Sequence, residues 1–87
     1  MEFEFDPQKS AANLAKHGID FAEAQRLWND PRLYAAPVLT HDESRTTLTG
    51  RIDDLTWTAV VTRRGDNIRI ISVRRARRNE VKLYERQ

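Results

Sequence analysis

The 87-residue chain predicts an α+β fold, with two N-terminal helices and a C-terminal helix packed on an antiparallel sheet. Three observations predict it. Capping residues punctuate the first thirty positions, as they do around short helices. Residues 33–75 are rich in β-branched residues and broken by turn signals. The last ten residues return to helical spacing. Helices this short are marginal alone and need a sheet to pack on.

Phe3 and Phe5 alternate with Glu2 and Glu4, a short half-buried strand. Asp6-Pro7 reads as an N-cap followed by proline at the first helical position, and the helix is expected to run to about Lys16. Ala11, Leu14 and Ala15 offer its apolar face, and Gly18 suits a left-handed C-terminal cap. Asp20 with Glu23 three residues later resembles a capping box opening a second helix, with Ala24, Leu27 and Trp28 as its buried stripe. Asn29-Asp30-Pro31 ends it.

Residues 33–38 form an apolar run containing Pro37, which assigns them to an edge strand. A polar loop from His41 to Arg45 leads to a β-branched strand, Thr46 to Ile52. Asp53-Asp54 is a turn, and Leu55 to Thr62 alternates with Leu55, Trp57, Ala59 and Val61 on one face. Arg64-Gly65-Asp66-Asn67 is a hairpin loop, with glycine available for a positive φ. Ile68 to Val73 is nearly continuous in β-branched character, as expected of a central strand. Ala76 to Glu85 reads as a final helix with Val81 and Tyr84 facing inward. Residues 1–87 are expected to form one domain, since a chain of this length has no room for a second core.

The formal net charge of +2 hides an asymmetry. Residues 1–62 carry six Lys/Arg against ten Asp/Glu, a net of −4, whereas residues 63–87 carry nine against three, a net of +6. Eight of those nine cations are arginines, whose planar fork suits phosphate. This is the charge footprint of a polyanion-binding surface, and also of a solvated charged face. The chain has no cysteine, an acidic start unlike a signal peptide, and no apolar run of membrane-spanning length, so a cytoplasmic location and no membrane contact are expected.

Motifs for phosphate-binding loops and dinucleotide sites are absent, and His17 and His41 are too far apart in sequence to suggest a metal site. No cofactor or metal is expected. The informative cluster is basic: Arg63, Arg64, Arg69, Arg74, Arg75, Arg77 and Arg78. Along a strand over 68–75, the pleat puts Arg69, Ile71, Val73 and Arg75 on one face and Ile68, Ile70, Ser72 and Arg74 on the other. One of Arg74 and Arg75 then lies under covering helices, where a charge needs partners. Arg78 lies near the positive end of the last helix. An anion there meets both arginine and unpaired backbone N–H groups. Lys16-His17-Gly18 admits two readings: cations complementing a helix C-terminus, or a site containing a side chain of the type that titrates near neutrality. Trp28 and Trp57 fall on apolar faces and read as core. Tyr84 reads as packing, or as a proton donor.

Phe5-Asp6-Pro7-Gln8-Lys9, Asn13-Leu14-Ala15-Lys16-His17-Gly18-Ile19 and Phe21-Ala22-Glu23-Ala24 together resemble the opening of BrnT-family toxins. Asp30-Pro31, Gly50-Arg51, the Thr62, Arg64, Gly65, Asp66 turn, and Ile68 through Ala76 match further blocks of that family. Arg78, Glu80 and Tyr84 match its closing helix. The chain departs from the pattern at Phe5 (usually tryptophan), at Arg63 (often glutamate), at Arg77 and Asn79, where an N-cap is lost, and in a 53–54 turn without glycine.

The resemblance implies a RelE-like fold and metal-independent cleavage of RNA. It implies neutralisation by a BrnA-like ribbon-helix-helix antitoxin encoded next door, with promoter DNA bound only through that antitoxin. The reaction is attack of a 2′-hydroxyl on the adjacent phosphate. It needs a base, an acid for the leaving oxygen, and positive charge on the phosphate. Arg74, Arg75 and Arg78 are assigned to phosphate and transition-state charge, with Arg64 as a further contact. His17 or Lys16 is the base, and Tyr84 the acid. Arg63, Arg64, Arg69, Arg77 and Lys82 are assigned to binding the RNA backbone. The rival reading is a non-catalytic nucleic-acid-binding or partner-binding module, which explains the arginines equally but has no need of Lys16 and His17.

Overall fold

The computed structural model describes residues 1–38 and 44–87. In chain order the elements are β1 (Phe3–Glu4), α1 (Pro7–His17), α2 (Phe21–Ala24), a 3-10 turn (Gln25–Asn29), β2 (Tyr34–Val38), β3 (Arg45–Ile52), β4 (Leu55–Arg64), β5 (Asn67–Arg75) and α3 (Arg78–Glu85). The strands form one sheet in the order β1-β5-β4-β3-β2. His41 of the expected polar loop lies outside the described residues, and Arg45, its expected last residue, already begins β3.

Local sequence signals set most boundaries. Asp6 caps α1 by accepting from the Gln8 N–H at 2.8 Å, and Gly18 closes it at φ 82. Asp20 accepts from the Glu23 N–H at 2.7 Å to open α2. The second helix is α-helical only to Ala24 and then tightens into the 3-10 turn. Pro37 sits in β2, an edge strand as its missing donor requires. The last helix begins at Arg78 rather than Ala76, because the Ala76 N–H still donates to the Thr56 carbonyl in strand fashion. Among the described residues, no helix is long and apolar enough to cross a membrane.

Three expectations are corrected. The sheet is mixed: β2 to β5 pair antiparallel, but β1 runs parallel to β5. Alternation identifies a strand and its two faces, not its direction beside a neighbour.

The buried face of α1 is Ser10 and Asn13, while Leu14 is 49% exposed and Ala11 and Ala15 also face solvent. The reason is hydrogen bonding. β1 reaches only Arg69, which leaves the outer edge of β5 open beyond it. Asn13 fills that edge, donating to the Val73 carbonyl at 2.9 Å and accepting from the Val73 N–H at 3.2 Å. It also donates to the Ile19 carbonyl, and Ser10 accepts from the Phe21 N–H. Buried backbone groups need such partners more than the helix needs another methyl group.

The third correction is in β5. Val60 pairs with Ser72 but Val61 with Ile70, so Ile71 is an extra residue on β5 and the alternation changes phase there. Ile70 and Val73 consequently share the buried face.

The sheet has two unlike faces. On one, Trp57, Ala59, Val61, Ile70 and Val73 pack with Ile19, Phe21, Ala24 and Leu27 from the N-terminal helical segment. Trp57 is buried and Trp28 packs at the margin, edge-on to Phe3. The other face presents the buried threonines Thr49 and Thr58, hydrogen-bonded to one another at 2.9 Å, and α3 covers them.

Candidate active site

Glu80 ties α3 to the sheet. Arg74 leaves β5 on the α3 side, opposite Thr58, and gives Glu80 two hydrogen bonds of 2.7 and 2.9 Å. Thr58 donates to the same carboxylate at 3.1 Å, and the Arg77 N–H at 2.8 Å. That last bond is the reciprocal half of a capping box, and it serves a helix whose N-cap, Arg77, has no acceptor in its side chain. The Arg74 guanidinium, against the cost of burial, holds the Glu80 carboxyl down to about 2. The same hydrogen bonds raise Arg74 above its ordinary value.

A second knot holds the far end of α3. The Tyr84 hydroxyl donates to Asp30 Oδ2 at 2.6 Å, and the Arg51 N–H donates to the same oxygen at 2.9 Å. The Arg32 N–H donates to Asp30 Oδ1. Burial pushes the Asp30 carboxyl upward, but the Tyr84 hydroxyl and the two N–H donors outweigh it and hold the group below its usual range. Burial and then the hydrogen bond to Asp30 raise the Tyr84 hydroxyl. Gly50 permits a close approach here: a Cβ would lie 2.8 Å from Leu33 Cδ1 and 3.2 Å from Asp30 Oδ2, so those side chains would have to shift. Arg32 reaches over Tyr84 to the carbonyls of Glu85 and Gln87, which complements the C-terminus of α3. Asp30-Pro31, Gly50-Arg51 and Tyr84, three separated stretches of sequence, thus meet in one place.

The basic cluster of the sequence divides. Arg63 and Arg64 end β4 beside Asn67 and Ile68, whereas Arg75 pairs with Trp57 at the other end of the same ladder. Eight residues of β5 put about 25 Å between these ends. Arg69 is also toward the first end, where its guanidinium is 3.7 Å from Glu4. The second end gathers Arg75, Arg77 and Arg78, all exposed, without an ion-pair partner among the described residues. Arg75 lies over the Trp57 ring, 5.5 Å from its centroid. Lys82 is exposed one turn beyond Arg78 on α3.

Helix α1, which ends in Lys16 and His17, runs toward that second end. Ser10, Asn13 and His17 are successive members of one helical stripe. Asn13 contacts Val73, so His17, one turn on, tracks toward Arg75 two residues further along β5. Gly18 and Trp57 line a common cavity, which confirms that α1 ends there. The structure therefore places Arg75, Arg77 and Arg78 at one end of β5, the end toward which α1 and its last residues, Lys16 and His17, run. It places Arg64 away from them, Arg74 beneath α3 in an ion pair, and Tyr84 at the opposite end of α3 from Arg78. The sequence offered Asn13 and Glu80 only as motif matches and Asp30 only as a motif match and helix stop, with no part in the site for any of the three. A polar residue spaced with the buried side of a helix was the available signal for Asn13.

A small α+β chain with Arg75, Arg77 and Arg78 at one end of a strand, none ion-paired among the described residues, carries the charge footprint of a polyanion-binding surface. Its sequence narrows this class: residues 5–80 match the family model described as ribonuclease toxin, BrnT, of type II toxin-antitoxin system. The chain belongs to this family, and an RNA substrate and an antitoxin partner follow from it at that level. A comparison with curated proteins finds no match.

Proposed function

We propose that this chain is a metal-independent endoribonuclease that works at the junction of α1, β5 and α3. The observation that carries the reading is the set of exposed guanidiniums of Arg75, Arg77 and Arg78, without an ion-pair partner among the described residues, at the end of β5 toward which α1 carries Lys16 and His17. The 2′-oxygen of a ribose attacks the adjacent phosphorus, and the bond to the 5′-oxygen breaks. The 2′-hydroxyl proton passes to His17 or Lys16, and the conjugate acid so formed gives a proton to the leaving oxygen, so the products carry a 2′,3′-cyclic phosphate and a 5′-hydroxyl. Arg75 and Arg78 hold the phosphate and offset the charge that builds on it, while Arg77 and Lys82 contact the backbone. Oriented charge of this kind commonly contributes more than the proton transfers themselves. Arg74 acts through Glu80 by holding α3, and Tyr84 through Asp30, so both are positioning residues. Arg63, Arg64 and Arg69 extend the electrostatic track for longer RNA.

The physiological reading follows the family. The enzyme arrests translation and growth in the cytoplasm, and a BrnA-like ribbon-helix-helix antitoxin neutralises it. Together the two repress their own promoter, with DNA contacts made by the antitoxin. The test is incubation of the purified chain with RNA in excess EDTA. Cleavage leaving 2′,3′-cyclic ends is expected, and strict dependence on a divalent metal overturns the proposed chemistry. In the same assay Arg78→Ala should lose about 10²–10³-fold in rate, with its melting temperature unchanged.

A further inference from the structure

A cavity of about 440 Å³ opens beside the proposed site, at the turn joining β3 to β4. Ile52, Leu55 and Trp57 give it an apolar floor, and Glu23, Asp53 and Asp54 an acidic rim. Leu55 is 42% exposed, a large apolar side chain left facing water at the end of a strand. Asp53 turns the chain at φ 55, and Arg26 bridges its carboxylate to that of Glu23. One guanidinium thus stands against three carboxylates, and the rim stays negative. The Arg75 guanidinium lies over the ring of Trp57, one of the floor residues. The cleft therefore joins an acidic rim to an apolar floor, with a positive charge held against that floor at Trp57.

We propose that this cleft is the seat of an antitoxin segment. The segment places an aliphatic side chain on Leu55 and Trp57, a lysine or arginine against Asp53 and Asp54, and a carboxylate on Arg75. This rests on the antitoxin partner of the preceding reading and adds where and how it docks. RNA fits the cleft poorly, because every phosphate it brings meets the acidic rim, and a peptide of mixed charge meets a complement for both signs. Occupation covers Arg75, so inhibition follows from docking without any change in the fold. Charge at such an interface mainly sets specificity and association rate, and the buried side chain sets the lifetime of the complex.

The test separates binding from cleavage with Leu55→Asp and Asp54→Lys, exposed positions outside the proposed catalytic groups. The probes are the purified antitoxin encoded beside this chain and a fluorogenic RNA. Leu55→Asp should weaken antitoxin binding roughly 10- to 100-fold, the range for losing one buried aliphatic contact. Asp54→Lys should slow association and weaken its dependence on salt. Both variants should cleave RNA at the unaltered rate and resist inhibition. Equal antitoxin affinity in both variants overturns the proposal. So does loss of RNA cleavage in folded Leu55→Asp and Asp54→Lys, which would assign the cleft to RNA. Failure of the unaltered chain to bind that antitoxin removes the partner reading itself, and the docking proposal with it.

Discussion

The two faces of the sheet are held by different physics. Under α2 and the 3-10 turn the contacts are apolar: Phe21, Ala24, Leu27, Ala59 and Val73 are at most 1% exposed. Under α3 they are polar, built on the carboxylates of Glu80 and Asp30 with an arginine, a threonine, a tyrosine and backbone N–H groups around them. The first face is indifferent to pH and tolerant of small shifts. The second is directional, and each bond fixes where α3 and its Arg78 lie. One layer keeps the chain folded while the other aims the proposed site.

Replacing Leu27 by alanine should produce the largest effect on the apolar side. A fully buried leucine lost to a cavity costs roughly 2–5 kcal/mol, a large share of the stability of so small a chain. Urea denaturation should show it, with RNA cleavage by the remaining folded fraction intact.

Glu80→Gln should invert that pattern. It removes the charge that Arg74 faces, at a cost of roughly 1–3 kcal/mol, since the pair is only partly shielded from water. Its effect on cleavage should exceed its effect on stability. Its pH signature has a definite sign. The Glu80 carboxyl is lowered from 4.5 to about 2 in the folded chain. Its stabilisation is therefore present above pH 4.5 and is lost as pH falls toward 2. Acid titration followed by circular dichroism should be less steep over that window in Glu80→Gln than in the unaltered chain. Equal slopes would show that the polar layer holds nothing.

Tyr84→Phe should cost about 1 kcal/mol by removing one donor from Asp30. Hydrogen exchange should reveal it as local opening of α3, with the amides of β4 and β5 unchanged. Smallest of all, Arg63→Ala and Arg64→Ala should change stability by less than about 0.5 kcal/mol, because both are exposed at a hairpin end. They should slow cleavage of long RNA more than of a short oligonucleotide. Equal losses on both would bring the far end of the ladder into the site.

What the sequence made legible was local. Asp6-Pro7, Gly18 and Asp20 mark helix ends because a cap is decided by neighbouring residues. Pro37 marks an edge because proline lacks a donor wherever it stands. The misreadings all needed a partner far along the chain. Asn13 faces inward because Val73, sixty positions away, has an open edge. Ile71 shifts the phase of β5 through its pairing with β4. Seven arginines within sixteen residues read as one cluster, yet a hairpin and an extended strand set Arg63 and Arg64 far from Arg77 and Arg78. Arg74 and Arg75 are neighbours in sequence, but the pleat sends one beneath α3 and the other over Trp57.

The margins of the sheet bear on a different hazard. An open strand edge is a template for indefinite polymerisation, and a small protein in excess is especially prone to it. Here the β5 margin is shortened by the two residues of β1 and then occupied by the side-chain amide of Asn13. At the other margin, Pro37 offers no N–H to a strand arriving along β2. Asn13→Ala and Pro37→Val should each expose a stickier margin, readable as fibril growth or light scattering at high concentration. Such blunted borders withhold the backbone template that strand-to-strand polymerisation needs.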